Sequence, residues 1–320
     1  ADIRTLFELI YLYFTAPRSD QEAYASFSER LKGQLENLKL NPMVAFNDTI
    51  IKSLYNNQIR AKRIVPEDFQ KISYDRIMEM YKNRFADASD FIFYFVGNIN
   101  KDSIIPLMEQ YLATLPSLKR IEKGDAGRMP VPRKGVYLSH FNRPMETPKA
   151  SILKIYTGQM DYSVESAMKA SMLKQILDLV YMEKVRENES GTYGVRTSVD
   201  VSAFPAGKTT LQIYFDTDPA LKDKLSAIVK DELMNIVNNG PRNEDFIKTR
   251  ENMLKSHDED LQENAYWLKA LDAYHFRGFD WVTDYKSRLE SITPAMIQAF
   301  AKQLIDQGNM VEVIMANQGQ

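Results

Sequence analysis

An arginine and a tyrosine, Arg186 and Tyr193, stand on either side of a short polar turn in the stretch V-R-E-N-E-S-G-T-Y-G-V. Both side chains are hydrogen-bond donors that could hold a polar group at the mouth of that turn. Gly191 lies between them and permits the chain to turn tightly. Each residue also has a plain structural reading: Arg186 complements the dipole at a helix C-terminus, and Tyr193 opens the apolar face of the strand that follows. The other residues with chemistry to offer are three histidines, His140, His257 and His275. His257 begins H-D-E-D-L, where Asp260 could share its helix face and Glu263 lies further along, a conceivable metal set. A solvated acidic helix surface is the favoured reading of that run. His140, standing alone before a loop, and His275, beside aromatics at a helix end, read as structural.

Composition narrows the chemistry further. The chain has 320 residues, 44% hydrophobic and 26% charged, which is a globular profile with room for two domains. A net charge of −2 without a large basic block argues against nucleic-acid binding. The short cluster Arg60, Lys62, Arg63 reads as a solvated loop. With no cysteine, thiol nucleophiles, disulfides and cysteine zinc sites are excluded. No apolar run reaches transmembrane length. The apolar stretch 7–14 is interrupted and then closed by Pro17, and reads as a buried helix rather than a signal peptide.

The elements that would position Arg186 and Tyr193 follow from periodicity and caps. A helix at 163–186 leads into the turn. Residues 193–201 alternate, Pro205 and Gly207 break the pattern, and 209–215 resume it, which predicts a β-hairpin. Strands are expected at 136–140, 150–157 and 310–316, and one buried on both faces at 90–98. Helices are expected at 2–16, with Ile3, Leu6, Leu9, Ile10 and Tyr13 on the apolar face, at 20–38 with Ser19 as cap, at 43–55, at 102–115 and at 219–238. One long helix is expected at 243–273, and another at 294–305 behind the Thr293-Pro294 cap. The Gly- and Pro-bearing stretch 118–134 reads as the one clear linker.

The two sides of that linker resemble each other. A-P-R-S-D near Pro17 matches G-P-R-N-E near Pro241, and the capped helix at Ser73 with F-V-G-N matches the one at Thr293 with M-A-N. Both matches have an offset of about 220 residues in the same order, which argues duplication. The expected fold is α+β: two homologous domains of mainly antiparallel sheet packed by helices, with a partial first domain at 1–117 and a complete second at 135–320. By the same alignment the first copy lacks strands and a helix, about 90 residues, so the chain is expected to be a fragment of a longer protein.

Three segments carry a family resemblance: the Pro-Arg helix junction, F-A-D-A-S-D-F-I-F-Y-F-V-G-N, and V-R-E-N-E-S-G-T-Y-G-V. Together they resemble the pitrilysin/insulinase family of zinc metallopeptidases, more closely the C-terminal, non-catalytic half of a bacterial member. The resemblance covers nearly the whole chain. It implies homologous halves closing as two bowls around a peptide chamber. The family's zinc motif, H-x-x-E-H on one helix face, is absent, because no two histidines here stand four apart. The resemblance therefore implies zinc in an N-terminal catalytic half or partner chain and none bound here. It assigns Arg186 and Tyr193 to reach toward the scissile peptide and hydrogen-bond its carbonyl oxygen as charge develops, with Gly191 a secondary substrate contact.

The favoured function is thus the substrate-binding half of a zinc metalloendopeptidase, inactive by itself. Its expected partners are the catalytic half and a peptide substrate, with a dimer open, and export to the periplasm or beyond is favoured over the cytoplasm. A structural or assembly subunit homologous to the peptidases is the alternative. An independent metalloenzyme built on His257 is a third reading.

Overall fold

The computed structural model describes residues 3–187, 192, 194–205 and 207–317, with main chain only at 126, 186 and 187. In chain order the helices are α1 (Ile3–Thr15), α2 (Gln21–Leu38), α3 (Pro42–Tyr55), α4 (Tyr74–Phe85) and α5 (Lys101–Leu107). Strands β1 (Val136–Asn142) and β2 (Ala150–Gln159), helix α6 (Val164–Tyr181), and strands β3 (Val195–Val201) and β4 (Lys208–Thr217) follow. The chain continues through α7 (Lys222–Asn239), α8 (Asn243–Asp260), α9 (Asn264–His275), α10 (Tyr285–Ser291), α11 (Pro294–Ile305) and β5 (Met310–Ala316). Helices and one mixed sheet make the fold α+β. Contacts divide the chain into two compact units, Ala1–Leu40 with Arg63–Asp125, and Asn41–Lys62 with Ala126–Gln320.

The first unit is helical among its described residues. Phe7 and Phe14, two turns apart on α1, form its aromatic core. Phe7 stacks on Phe95 at 5.5 Å, and Phe14 meets Phe85 and Phe91 edge-on at 5.0 and 4.9 Å. This corrects the face read from the sequence. Ile3, Leu6, Leu9 and Tyr13 are exposed: the apolar arc of α1 is wide, opposite Arg4, Glu8 and Thr15, and periodicity alone could not choose which part of it is buried. A second correction concerns the strand expected at 90–98. Its phenylalanines keep strand-like alternation toward α1, but residues 91–96 form no ladder with any described residue and Ile92 is 47% exposed. A strand is defined by its neighbour, and no described strand lies beside this one. The cap of α2 is Asp20, whose carboxylate accepts from Ala23 N–H, rather than Ser19.

Asp87 organises the end of this unit. Its carboxylate accepts from the N–H groups of Ser89, Leu118 and Arg120 at 3.0, 2.9 and 2.8 Å, and from the Ser89 hydroxyl. Burial pushes the Asp87 carboxyl up, but those donors together hold it well below the usual carboxylate range. Its charge therefore stabilises the fold above the unfolded carboxylate pKa of about 4, and that contribution fades as pH falls through and below it. Asp87→Asn is expected to lower the melting temperature at pH 7 and to narrow its gap from the native chain toward pH 2. A constant gap across that range would reject the assignment.

The second unit is built on a five-stranded sheet of order β1-β5-β2-β4-β3. β1 and β5 run parallel, and the other pairs are antiparallel. The expected hairpin is present, with Val195 opposite Phe215 and Val201 opposite Thr209. The near-continuous apolar run of β2 suits burial on both faces. On one face Ala150, Ile152 and Tyr156 join the core of α6, α7 and α11; on the other Leu153 and Ile155 pack with Phe46 and Leu54 of α3. Ser163 and Thr293 cap α6 and α11 as the sequence suggests. The helix expected over 243–273 is two, α8 and α9, separated at 261–263, where the indole of Trp267 donates to the Leu261 carbonyl at 2.9 Å.

A charged cluster lies inside the sheet. Lys154 of β2, 4% exposed, pairs with Glu312 of β5. His140 of β1 contacts the same carboxylate at 2.8 Å, and the Ser226 hydroxyl of α7 lies 3.4 Å away. His140 is thus not the solitary residue read from the sequence; parallel pairing of β1 with β5 brings it beside a residue far along the chain.

Candidate functional site

The turn that carries Arg186 is fixed by what precedes it. The capping box of Ser163 and Ser166 starts α6, and ten of its residues are buried, so the helix cannot rotate. At its end the Tyr181 hydroxyl donates to the Val229 carbonyl of α7 at 3.1 Å. Burial pushes that phenol well above its ordinary pKa, keeping it a neutral donor. The helix then widens into a π-type turn, Met182–Glu187.

That turn is clamped to the start of α8. Arg242 pairs with Glu183 at 2.7 Å and with the nearly buried Asp245 at 2.7 Å. Hydrogen bonds from Arg242 and then Lys184 hold the Glu183 carboxyl below its usual range. On the far side of the turn, the Thr192 hydroxyl donates to the Asp216 carbonyl of β4 at 2.6 Å and accepts from Gly194 N–H at 3.2 Å. The main chain is therefore anchored on both sides. The main chain of Arg186 belongs to the clamped turn, whereas Gly191 and Tyr193 lie outside the described residues.

Between α6, α8 and the start of β3 is a cavity of about 540 Å³. Leu179, Met182 and Val195 give it apolar wall, and Asp178, Lys248 and Thr249 give it polar groups. Asp178 is held by Lys174 at 2.7 Å and by the Thr197 hydroxyl. Thr249 is 1% exposed, and its hydroxyl has no partner among the described residues. An unpaired buried hydroxyl carries a desolvation cost, so a ligand group that paired with it would bind favourably. The sequence reading missed this cavity. Lys248 and Thr249 carry no motif, and only the packing of α8 on α6 sets them beside the turn.

The metal reading of His257 is not supported by the geometry. The imidazole is buried and stacked on Tyr285 at 3.9 Å, while Asp258, Glu259 and Asp260 face solvent and Asp258 pairs with Lys286 at 2.7 Å. The acidic surface expected there is real, but His257 is not part of it, because its helix face packs against α10. Burial lowers its pKa. Among the described residues no three His, Asp or Glu side chains are grouped to hold a metal. No described helix is long and apolar enough to cross a membrane.

Comparison with known proteins adds the family. The family described as peptidase M16 inactive domain matches residues 71–253. A zinc protease PQQL-like protein of Arabidopsis thaliana is 22% identical over 284 residues, covering 85% of this chain and 30% of the relative. The periplasmic protease PqqL of Escherichia coli superposes with a TM-score of 0.82 at 16% identity, over 98% of this chain and 35% of that one. A peptidase M16 inactive domain from Pseudomonas fluorescens gives a TM-score of 0.77 at 18% identity, over 98% of this chain and 74% of that one. The chain thus spans about a third of the length of the full proteases it resembles.

Proposed function

Because the chain belongs to the peptidase M16 inactive-domain family, related to the halves of zinc proteases, we propose that it is the non-catalytic, substrate-binding half of a zinc-dependent metalloendopeptidase of the pitrilysin/insulinase type. The observation that carries this reading is the anchored backbone: a buried helix and the Arg242 clamp hold the segment Met182–Glu187 that includes Arg186, the Thr192 hydroxyl is tied to β4, and an open cavity lies beside them.

This chain's residues do not supply the family's zinc site, so zinc belongs to a catalytic half on the same polypeptide or a partner chain. Arg186 and Tyr193 would donate hydrogen bonds to the scissile carbonyl oxygen as it gains negative charge, an interaction stronger in the transition state than in bound substrate. The neighbouring cavity, apolar with a few polar groups, suits a substrate side chain. Export is favoured by analogy with the periplasmic E. coli protease.

The test is peptide hydrolysis with zinc analysis, on this chain alone and then mixed with its catalytic half. Inactivity alone with activity on mixing is the expected result. Arg186→Ala and Tyr193→Phe in the complete enzyme should each lower kcat about tenfold to a hundredfold, with KM changing less. An unchanged kcat/KM for both would remove the assigned role. No activity on mixing, with both halves folded, would favour a structural subunit.

A further inference from the structure

A second cavity, about 360 Å³, opens at one end of the sheet, where β2 ends and β4 and β5 begin. Three cations line it, Arg133, Lys134 and Lys208, and among the described residues no carboxylate does. Two of the three are held in place by neutral groups. The Arg133 guanidinium donates to the Ser53 carbonyl and to Asn56 Oδ1, both at 3.0 Å, and lies 4.0 Å over the Tyr137 ring. Lys208 Nζ donates to the Tyr55 hydroxyl at 3.0 Å and sits 5.1 Å from the centre of that ring. These contacts orient the charges without neutralising them.

The side chains of Gln307 and Asn309 in the lining are already hydrogen-bonded to the main chain. Gln307 exchanges hydrogen bonds with the Gln159 main chain at 2.8 and 3.2 Å. Asn309 accepts from Gly135 N–H at 2.8 Å and donates to the Thr157 carbonyl at 3.2 Å. The charged donors that face the cavity are therefore the three cations. Like charges gathered around one cavity repel, and an anion among them would relieve that repulsion.

We propose that this cavity is a carboxylate-binding site for a peptide, with the Arg133 fork and the Lys134 and Lys208 ammonium groups as its donors. A planar guanidinium flanked by two point charges suits a carboxylate, which accepts on two oxygens. The carboxylate can be a peptide's C-terminal group or an Asp or Glu side chain. The site lies on residues that take no part in the anchored turn, so it stands apart from the zinc-protease reading.

The experiment is fluorescence anisotropy with three labelled peptides of one neutral sequence: a free C-terminal acid, its C-terminal amide, and the amide with one internal Glu. Either acidic peptide should bind the chain at least about tenfold more tightly than the neutral amide, and whichever does identifies the source. Binding should weaken with added salt. Lys134→Gln with Lys208→Gln should remove the preference, and Lys208→Arg should retain it, which separates charge from folding. Equal binding of all three peptides would overturn the proposal. So would a preference that survives the double substitution. Binding of inorganic phosphate alone, without discrimination among the peptides, would also overturn it.

Discussion

Lys154→Ala is expected to cost about 3–5 kcal/mol of unfolding free energy, because it strands Glu312 inside the sheet without its main partner. Both side chains lie between strands and the helical layer, where water cannot substitute for the lost ammonium. His140 and the Ser226 hydroxyl remain, but His140 sits at the sheet edge and Ser226 is 3.4 Å away, so neither restores the charge balance. Lys154→Met with Glu312→Leu should recover most of the loss, since apolar residues of similar size avoid the desolvation of both ions. The measurement is a double-mutant cycle by urea unfolding. A single-substitution cost under about 1 kcal/mol would show that the pair is solvated after all.

The pair also sets an acid limit. Burial pushes the Glu312 carboxyl up, but Lys154 and then His140 bring it below its usual range. A carboxylate lowered by folding stabilises above its unfolded pKa, so this contribution fades as pH falls through about 4 and below. The double substitution should flatten that part of the acid profile.

Phe46→Ala is the second large effect, about 3–5 kcal/mol. Phe46 is 1% exposed and fills the space between α3 and the sheet, against Leu153, Ile155, Val311, Val313 and Met315. α3 is the only described helix in that cluster, so a cavity there has no second layer to collapse from above. Amide exchange at Val311 and Val313 should speed up in the variant, while the first unit's amides keep their rates. Unchanged protection in β5 would mean that α3 does not cover it in solution.

Capped and strongly periodic elements were legible in the sequence: Ser73, Ser163 and Thr293 start the helices they were expected to start, and the hairpin falls in its expected place. What failed depended on partners. The apolar surface of α1 offered two faces, and only the phenylalanines of 85–95 decide between them. The segment 90–98 has strand composition without a described neighbour to make it one. The same division holds at the site. Arg186, Gly191 and Tyr193 stand out by residue type beside a turn, and the roles assigned to them rest on resemblance to a family motif. The Arg242–Glu183 clamp, the cavity between α6 and α8 and the basic cavity join residues far apart in sequence, where local patterning carries no signal.

The strand order bears on synthesis. β5 lies between β1 and β2, yet a ribosome makes it after the other four strands. As the chain emerges, β2, β4 and β3 can zip together early, since each pairs with a neighbour already made. β1 must wait, unpaired, for residues 310–316, and the growing β2-β4-β3 sheet keeps an open edge for the same interval. A nascent chain at that stage offers two docking edges to chaperones or to its own copies. A stop codon just before β5 would therefore not trim this unit but withdraw the strand that joins its sheet.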